Sequence, residues 1–329
     1  MLKPTGVTFA GTGSFVPEKI MSNQDLEKMV DTSDEWIRTR TGIKERRLIS
    51  DGAATSDLAY EASRRALEAA KIKPEDLDLI IVGTITPDYF FPSTACILQN
   101  RLGANGSGAF DLLAACSGFI YGVSAASEYL ARGSCKTALI VGAEALSTFT
   151  DYTDRGSCVL FGDGAGAAVL VKTDEPRGVL YTTLGADGSG AEYMILPAGG
   201  SRLPASHQTV DRRLHYMKIR GRETFKFAVT KMQDLLVEAI ERLEIAVNDI
   251  ALVIPHQVNI RILDAAAKKI HLPKEKMYIN IDRYGNTSAA SVPIALDEAN
   301  REGRLSPGDI VILVAFGGGL TWASAVIRW

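Results

Sequence analysis

The sequence predicts an α/β protein made of two duplicated βαβ-type halves, and three observations carry that prediction. Apolar runs of strand length, such as residues 78–84 (DLIIVGT) and 252–255 (LVIP), alternate with stretches of helical apolar spacing. A continuous apolar run of that length marks a strand covered on both faces. The chain also repeats itself in order. A shift of 173 lays Ala66-Leu67 and residues 76–81 (DLDLII) onto Ala239-Ile240 and residues 249–254 (DIALVI), and a shift of 155 lays Phe161-Gly-Asp-Gly164 onto Phe316-Gly-Gly-Gly319. Near a shift of 171, the small-residue helix around Cys116 falls on residues 287–299, another weakly charged stretch. Each match alone is weak; in order and at similar shifts, they indicate duplication. The halves are residues 1–175 and 176–329. Facing each other, they bring both small-residue helices to a pseudo-twofold centre.

At 329 residues and 46% hydrophobic content, the chain can bury a sizeable core in two domains or one large unit. No apolar run approaches the roughly 18 residues of a membrane span. Residues 1–10 (MLKPTGVTFA) lack the apolar core of a signal peptide. A net charge of −3 argues against a nucleic-acid partner. Cys96, Cys116, Cys135 and Cys158 form no C-x-x-C pair and no metal-ligand spacing, which suits reduced thiols. The composition points to a soluble cytoplasmic protein with no membrane, nucleic-acid or metal partner.

Taken in order, residues 6–13 read as a strand running into a glycine turn. Residues 23–30 read as a short helix, and Thr32-Ser-Asp-Glu-Trp36 carries the capping residues of another. A polar loop through Arg46 and Arg47 follows. Residues 55–70 have helical spacing, 78–84 form a buried strand, 93–102 a helix, and a strand lies near Ala109. The helix through Cys116, a strand over 137–142 and a glycine-rich strand pair over 159–171 complete the first half. In the second, residues 185–215 form an irregular Gly/Ser/Pro-bearing insertion able to line a pocket.

The stretch 112–127 is uncharged and dominated by Ala, Gly and Ser, which suits a helix packed closely on all sides. Cys116 stands near its N-terminal end, where unpaired N–H groups and aligned peptide dipoles favour a thiolate. A free cysteine is as often a small buried hydrophobe, so the stretch alone leaves both readings open. Of the four histidines, His207 and His215 fall in the polar insertion, and His271 ends a helix as a cap residue. His256 differs. It ends the apolar run 252–255, where a parallel strand delivers residues to the functional edge of a sheet. Asn286, in Tyr284-Gly-Asn-Thr-Ser288, reads locally as a helix cap. The repeat brings Cys116, His256 and Asn286 together at the junction of the halves. A cysteine nucleophile with two such donors can form an acyl thioester and hold its oxygen.

These segments resemble the β-ketoacyl-acyl-carrier-protein synthase III family. Cys116 in AACSG, His256 in IPHQVN and Asn286 in YGNTS match its catalytic triad. Thr32-Ser-Asp-Glu-Trp36, Phe161-Gly-Asp-Gly-Ala-Gly166 and Phe316-Gly-Gly-Gly-Leu-Thr-Trp322 match further motifs, so the likeness runs nearly end to end. The resemblance implies the thiolase fold, a five-layer α-β-α-β-α sandwich, as a homodimer. It implies a decarboxylative Claisen condensation of a short acyl-CoA starter with malonyl-acyl carrier protein. The products are 3-oxoacyl-acyl carrier protein, CoA and CO2, and the step initiates fatty acid biosynthesis. Under the resemblance, Cys116 takes the acyl group, and the N–H groups of Cys116 and Gly319 form the oxyanion hole. His256, donating from Nε2, holds the enolate oxygen with Asn286. Thr32, Trp36, Arg40 and Arg155 are implied for coenzyme A. Gln257, Val258, Asn259, Ile260 and Arg261, with Lys226, Lys268 and Lys269, are implied for the carrier protein. Phe91 matches the position at which a partner subunit closes the acyl pocket. Acyl-CoA is a substrate, and no cofactor or metal is implied.

Other readings are weaker. Gly162-Asp-Gly-Ala-Gly166 has part of the spacing of a dinucleotide fingerprint, but an apolar strand follows it where a helix is needed. A papain-like hydrolase shares Cys, His and Asn but carries its Cys near the mature N-terminus. The nearer alternatives lie on the same fold: a condensing or acyl-transferring enzyme of secondary metabolism, or a silent partner subunit, which would lack the Cys.

Overall fold

The computed structural model describes residues 5–329; the N-terminal expectation rests partly on residues 1–4, which lie outside the described residues. Up to residue 172 the chain runs β1 (Val7–Phe15), β2 (Lys19–Ser22), α1 (Asn23–Glu27), α2 (Asp34–Thr41), β3 (Glu45–Leu48) and α3 (Thr55–Ala70). It continues through β4 (Leu79–Gly83), α4 (Thr94–Leu102), β5 (Gly108–Leu112), α5 (Gly118–Ala131), β6 (Thr137–Glu144) and β7 (Gly164–Lys172). The second part opens with β8 (Gly178–Ala186), β9 (Met194–Ile195), α6 (His207–Asp211), β10 (Lys218–Ile219) and α7 (Gly221–Leu243). Next come β11 (Ile250–Pro255), α8 (Ile260–Lys269), α9 (Ile281–Tyr284), α10 (Ser291–Arg301), β12 (Ile310–Gly317) and β13 (Thr321–Arg328).

Two sheets result, in strand orders β1-β7-β6-β4-β5 and β11-β12-β13-β8. β4 runs parallel to β5 and β6, and β11 runs parallel to β12. The repeat is visible in the element starts: α5 to α10 is 291 − 118 = 173, and β6 to β12 is 310 − 137 = 173. Among the described residues the second sheet has no strand answering β5; a parallel bridge from Val253 to Met277 takes its place beside β11.

Side-chain alternation explains the unbroken apolar runs. Leu79 and Ile81 of β4 pack inward with Phe119, Ile120 and Val123 of α5, while Ile80 and Val82 pack outward on Leu58, Ala59 and Ala62 of α3. In the second sheet Leu252 and Ile254 face the same centre with Val292 and Leu296 of α10, and Val253 faces α7 and α8. Burying each large apolar side chain contributes about 1.5–3 kcal/mol. The layers are therefore α3/α4, sheet, α5/α10, sheet, α7/α8, a five-layer sandwich. Small residues let the central helices approach the strands: a Cβ on Gly83 would stand 2.7 Å from the Gly118 carbonyl carbon.

Several local expectations change. The first short helix stops at Glu27, and the following segment turns away. The polar loop through Arg46 and Arg47 is strand β3, paired with β2. Arg46 is wholly buried there because its guanidinium donates to Met21 O at 3.1 Å, Asn23 Oδ1 at 3.0 Å and Val159 O at 2.9 Å. Burial pulls its pKa down to about 10. The strand pair over 159–171 is one strand, β7. Residues 159–161 lie in a turn whose Phe161 makes an isolated bridge to Asn286.

Candidate active site

Cys116 lies just before α5, in a tight turn over Ala115–Ser117, so the helix begins after it at Gly118 and not within the stretch from 112. Ala115 holds a left-handed φ of 47°, and Thr321 Oγ1 clamps this turn by donating to Ala114 O at 2.8 Å. The expected depression of the thiol pKa does not occur. Burial pushes Cys116 up to about 12, the charge of Glu144 adds to the rise, and the Ser288 hydroxyl opposes it. At rest the Cys116 side chain is a neutral thiol. Desolvation, the largest cause, penalises the charged form of a group shut away from water.

His256 follows β11, and its own N–H donates to Val314 O of β12 at 2.7 Å, extending the parallel ladder by one bond. Its Nδ1 lies 2.6 Å from Ser291 Oγ, and the Gln257 N–H also donates to that hydroxyl at 3.4 Å. When Ser291 donates to Nδ1, the ring proton sits on Nε2. Burial holds the ring pKa down to about 3, so the imidazole is neutral. Ser291 was not legible in the sequence: it sits 35 residues away on α10 and meets His256 only in the fold.

Asn286 is pinned through its backbone, which donates to Leu160 O at 2.8 Å and accepts from Gly162 N–H at 3.1 Å. The Phe-Gly-Asp-Gly motif thereby fixes its place. Its Oδ1 accepts the Ser288 N–H at 2.8 Å, which leaves Nδ2 as the free end of the amide. Asn286 caps no helix proper; it precedes a short turn over Ser288–Ala290.

Cys116, His256 and Asn286 line one cleft with Gly317, Gly318 and Gly319, Phe316 and Val258, enclosing about 380 Å³ including its mouth. Gly190, Tyr193 and Met194 of the 185–215 insertion form another wall. Two glycines carry the backbone geometry. A Cβ on Gly317 would stand 2.6 Å from the Cys116 nitrogen, and Gly319 has a φ of 71°. The Phe316 ring meets His256 edge-on, with centroids 5.6 Å apart.

The outer residues divide. Trp36 on α2 lies beneath two guanidinium groups, Arg155 at 4.9 Å and Arg40 at 5.9 Å from its ring centroid, and the buried Thr32 hydroxyl has no hydrogen-bond partner. Arg155 also meets the exposed Asp31 at 3.4 Å. Gln257, expected on a protein-binding surface, is buried: its amide donates to Pro255 O and Tyr278 O and accepts the Asn280 N–H. It ties the β11 end to residues 278–280 and faces no partner. Asn259 caps α8 through the Arg261 N–H and reaches Arg40 O at 2.9 Å, and Ile260 is half-buried against Gly42. Arg261, Lys226, Lys268 and Lys269 are exposed, with Arg261 stacked 5.7 Å from the Phe225 ring. Phe91 is 86% exposed and stands apart from the residues lining the cleft. His207 is exposed, the half-buried His215 pairs with Thr209 Oγ1 at 2.9 Å, and His271 follows α8 with a φ of 55°.

Comparison with known proteins gives a consistent result. Two family models, 3-oxoacyl-[acyl-carrier-protein] synthase III and its C-terminal part, match residues 110–188 and 240–329. The chain is 58% identical over 319 residues to a beta-ketoacyl-[acyl-carrier-protein] synthase III of Caldanaerobacter subterraneus subsp. tengcongensis, covering 97% of this chain and 96% of the relative. It is 52% identical over 323 residues to the protein of that name in Desulfitobacterium hafniense, covering 98% of each. A crystal structure of 3-oxoacyl-[acyl-carrier-protein] synthase III from Aquifex aeolicus VF5 is similar with a TM-score of 0.91 at 46% identity, over 98% of this chain and 100% of that one.

Proposed function

The chain belongs to the 3-oxoacyl-[acyl-carrier-protein] synthase III family, and we propose that Cys116, His256 and Asn286 divide its chemistry into two half-reactions. The enzyme catalyses the condensation of an acyl-CoA starter with malonyl-acyl carrier protein that initiates fatty acid synthesis. In the first half-reaction the Cys116 sulfur bonds to the acyl carbonyl carbon and the bond from that carbon to the coenzyme A sulfur breaks. The thiol proton passes, in net terms, to the departing coenzyme A. The N–H groups of Cys116 and Gly319 hold the oxyanion, and the left-handed φ of Gly319 supports that reading.

In the second half-reaction the malonyl carboxylate leaves as CO2, and its bond electrons pass to the thioester oxygen as an enolate. His256 Nε2–H and Asn286 Nδ2–H stabilise that oxygen. The nucleophilic carbon attacks the Cys116 thioester, the C–S bond breaks, and the sulfur takes up a proton. A neutral imidazole suits this role, since it donates a hydrogen bond without a charge to desolvate. As written, the reaction balances without a metal or redox cofactor.

The observation carrying this reading is the shared cleft of Cys116, His256, Asn286 and the glycine loop. The test separates the half-reactions. Asn286→Ala is expected to transfer an acyl group to Cys116 yet condense about 10²–10³-fold more slowly. Equal losses in both steps would make Asn286 a structural residue.

Coenzyme A is assigned to Thr32, Trp36, Arg40 and Arg155. The adenine stacks on the indole and the guanidiniums pair with phosphates, which requires Arg155 to lift from Trp36. Arg261, Lys226, Lys268 and Lys269 form the docking face for an acidic carrier protein, with Val258, Asn259 and Ile260 leading from it towards the cleft. A homodimer is supported by the edge strand β5 and the exposed Tyr89, Phe90, Phe91 and Leu113 beside it. In that dimer Phe91 reaches the partner's acyl pocket. Four free thiols, Cys96 among them exposed, support a reducing cytoplasmic location.

A further inference from the structure

We propose that Glu144 is a positioning residue for the condensation step, holding the Asn286 amide with Nδ2 turned into the cleft by clamping Ser288. The inference rests on the role given to Asn286 above. Glu144 ends β6 and is wholly buried, and its only effect named above is electrostatic, on the Cys116 thiol. A buried carboxylate survives only where its oxygens are bonded. Here Oε2 accepts from Thr86 Oγ1 at 2.6 Å, Thr84 Oγ1 at 3.2 Å and the Ile85 N–H at 3.2 Å. These three donors follow β4 and fix the carboxylate. The fourth crosses between the halves: Ser288 Oγ donates to Oε1 at 2.9 Å.

Ser288 needs that restraint. It holds a left-handed φ of 48°, a conformation that non-glycine residues avoid, and its N–H donates to Asn286 Oδ1 at 2.8 Å. Engaging Oδ1 chooses which end of the amide faces the cleft. The repeat gives the arrangement its meaning. By the shift of 173, Glu144 answers Gly317 (144 + 173 = 317) and Ser288 answers Ala115 (115 + 173 = 288). On one side, a strand-end glycine leaves the Cys116 N–H open. On the other, a strand-end carboxylate fills the equivalent space and clamps the turn beside Asn286.

The experiment measures two single-turnover rates, acylation of Cys116 by acyl-CoA and condensation of the acylated enzyme with malonyl-carrier protein. Glu144→Leu is expected to lose about 10²-fold in condensation, the scale of a misplaced reacting group, while acylation is not slowed, since losing the Glu144 charge eases thiolate formation at Cys116. Glu144→Gln, which keeps an acceptor oxygen for Ser288, restores most of the condensation rate. In an Asn286→Ala background, Glu144→Leu causes no further loss. If Glu144→Leu does not fold, Ser288→Ala removes the same link and is expected to lose more in condensation than in acylation, which it also slows because this hydroxyl bonds the Cys116 thiol. Wild-type condensation in Glu144→Leu alongside an impaired Asn286→Ala overturns this inference alone. Unimpaired condensation in Asn286→Ala overturns the role of Asn286, and this inference with it.

Discussion

Gly317 shows how much one hydrogen atom decides at this site. Its φ of −154° is open to any residue, so alanine there meets no backbone strain, only its neighbours. The added Cβ would stand 2.6 Å from the Cys116 nitrogen and 3.0 Å from the Ala115 Cβ. Gly317→Ala is therefore expected to fold and to acylate Cys116 about 10²-fold more slowly or worse, as the Cys116 N–H proposed for the oxyanion hole is pushed aside. Stopped-flow release of coenzyme A reads this step, and a wild-type rate would show that the turn relaxes freely. Cys116, His256 and Asn286 each sit in a short motif that the sequence displays, and the fold brings all three into one cleft. Their supports carry no such motif. Ser291, Ser288 and Glu144 are ordinary polar residues in sequence; the fold of the second half brings Ser291 to His256, and the crossing of the two halves brings Glu144 to Ser288 beside Asn286. Gln257 failed for a related reason: a polar residue in a docking motif is satisfied inward, by backbone groups from distant segments.

At the scale of elements, local signals held wherever packing agreed with them. Helix α3 spans the residues its spacing indicates, and α4 starts after the Ser93 cap. Strand β3 did not follow, since Glu-Arg-Arg-Leu carries no strand pattern. It forms because β2 pairs with it and the Arg46 guanidinium finds carbonyl oxygens inside. Helix α8 carries the element-scale prediction. Its buried face holds Ile262, Leu263 and Ala266, so Arg261 and Lys268, seven residues apart, share the outer face about 10 Å from each other. Arg261→Glu is expected to raise KM for malonyl-carrier protein several-fold at low salt and to flatten its salt dependence, with acylation by acyl-CoA nearly unchanged. Steady-state kinetics at two ionic strengths measure it. Unaltered use of the carrier protein would make the patch a merely solvated face.

For the whole molecule, duplication was legible as ordered weak matches, and the structure sharpens them to one shift of 173 for the central elements. What the sequence hid is how the copies diverged. The first sheet ends on β5, while the second has only the Val253–Met277 bridge in that place. The surviving edge is the one flanked by exposed aromatics, which is where the proposed homodimer would pair. Leu113→Arg, at a residue 80% exposed beside β5, is expected to shift the mass in analytical ultracentrifugation from dimer towards monomer. An unchanged mass would move the interface elsewhere. The central claim is that Cys116 carries the acyl group between the two substrates. Labelled acyl-CoA should leave label on the Cys116 peptide alone, and adding malonyl-carrier protein should move that label into 3-oxoacyl-carrier protein. Label retained by a Cys116→Ala protein, or found on Cys96, Cys135 or Cys158, would contradict the account.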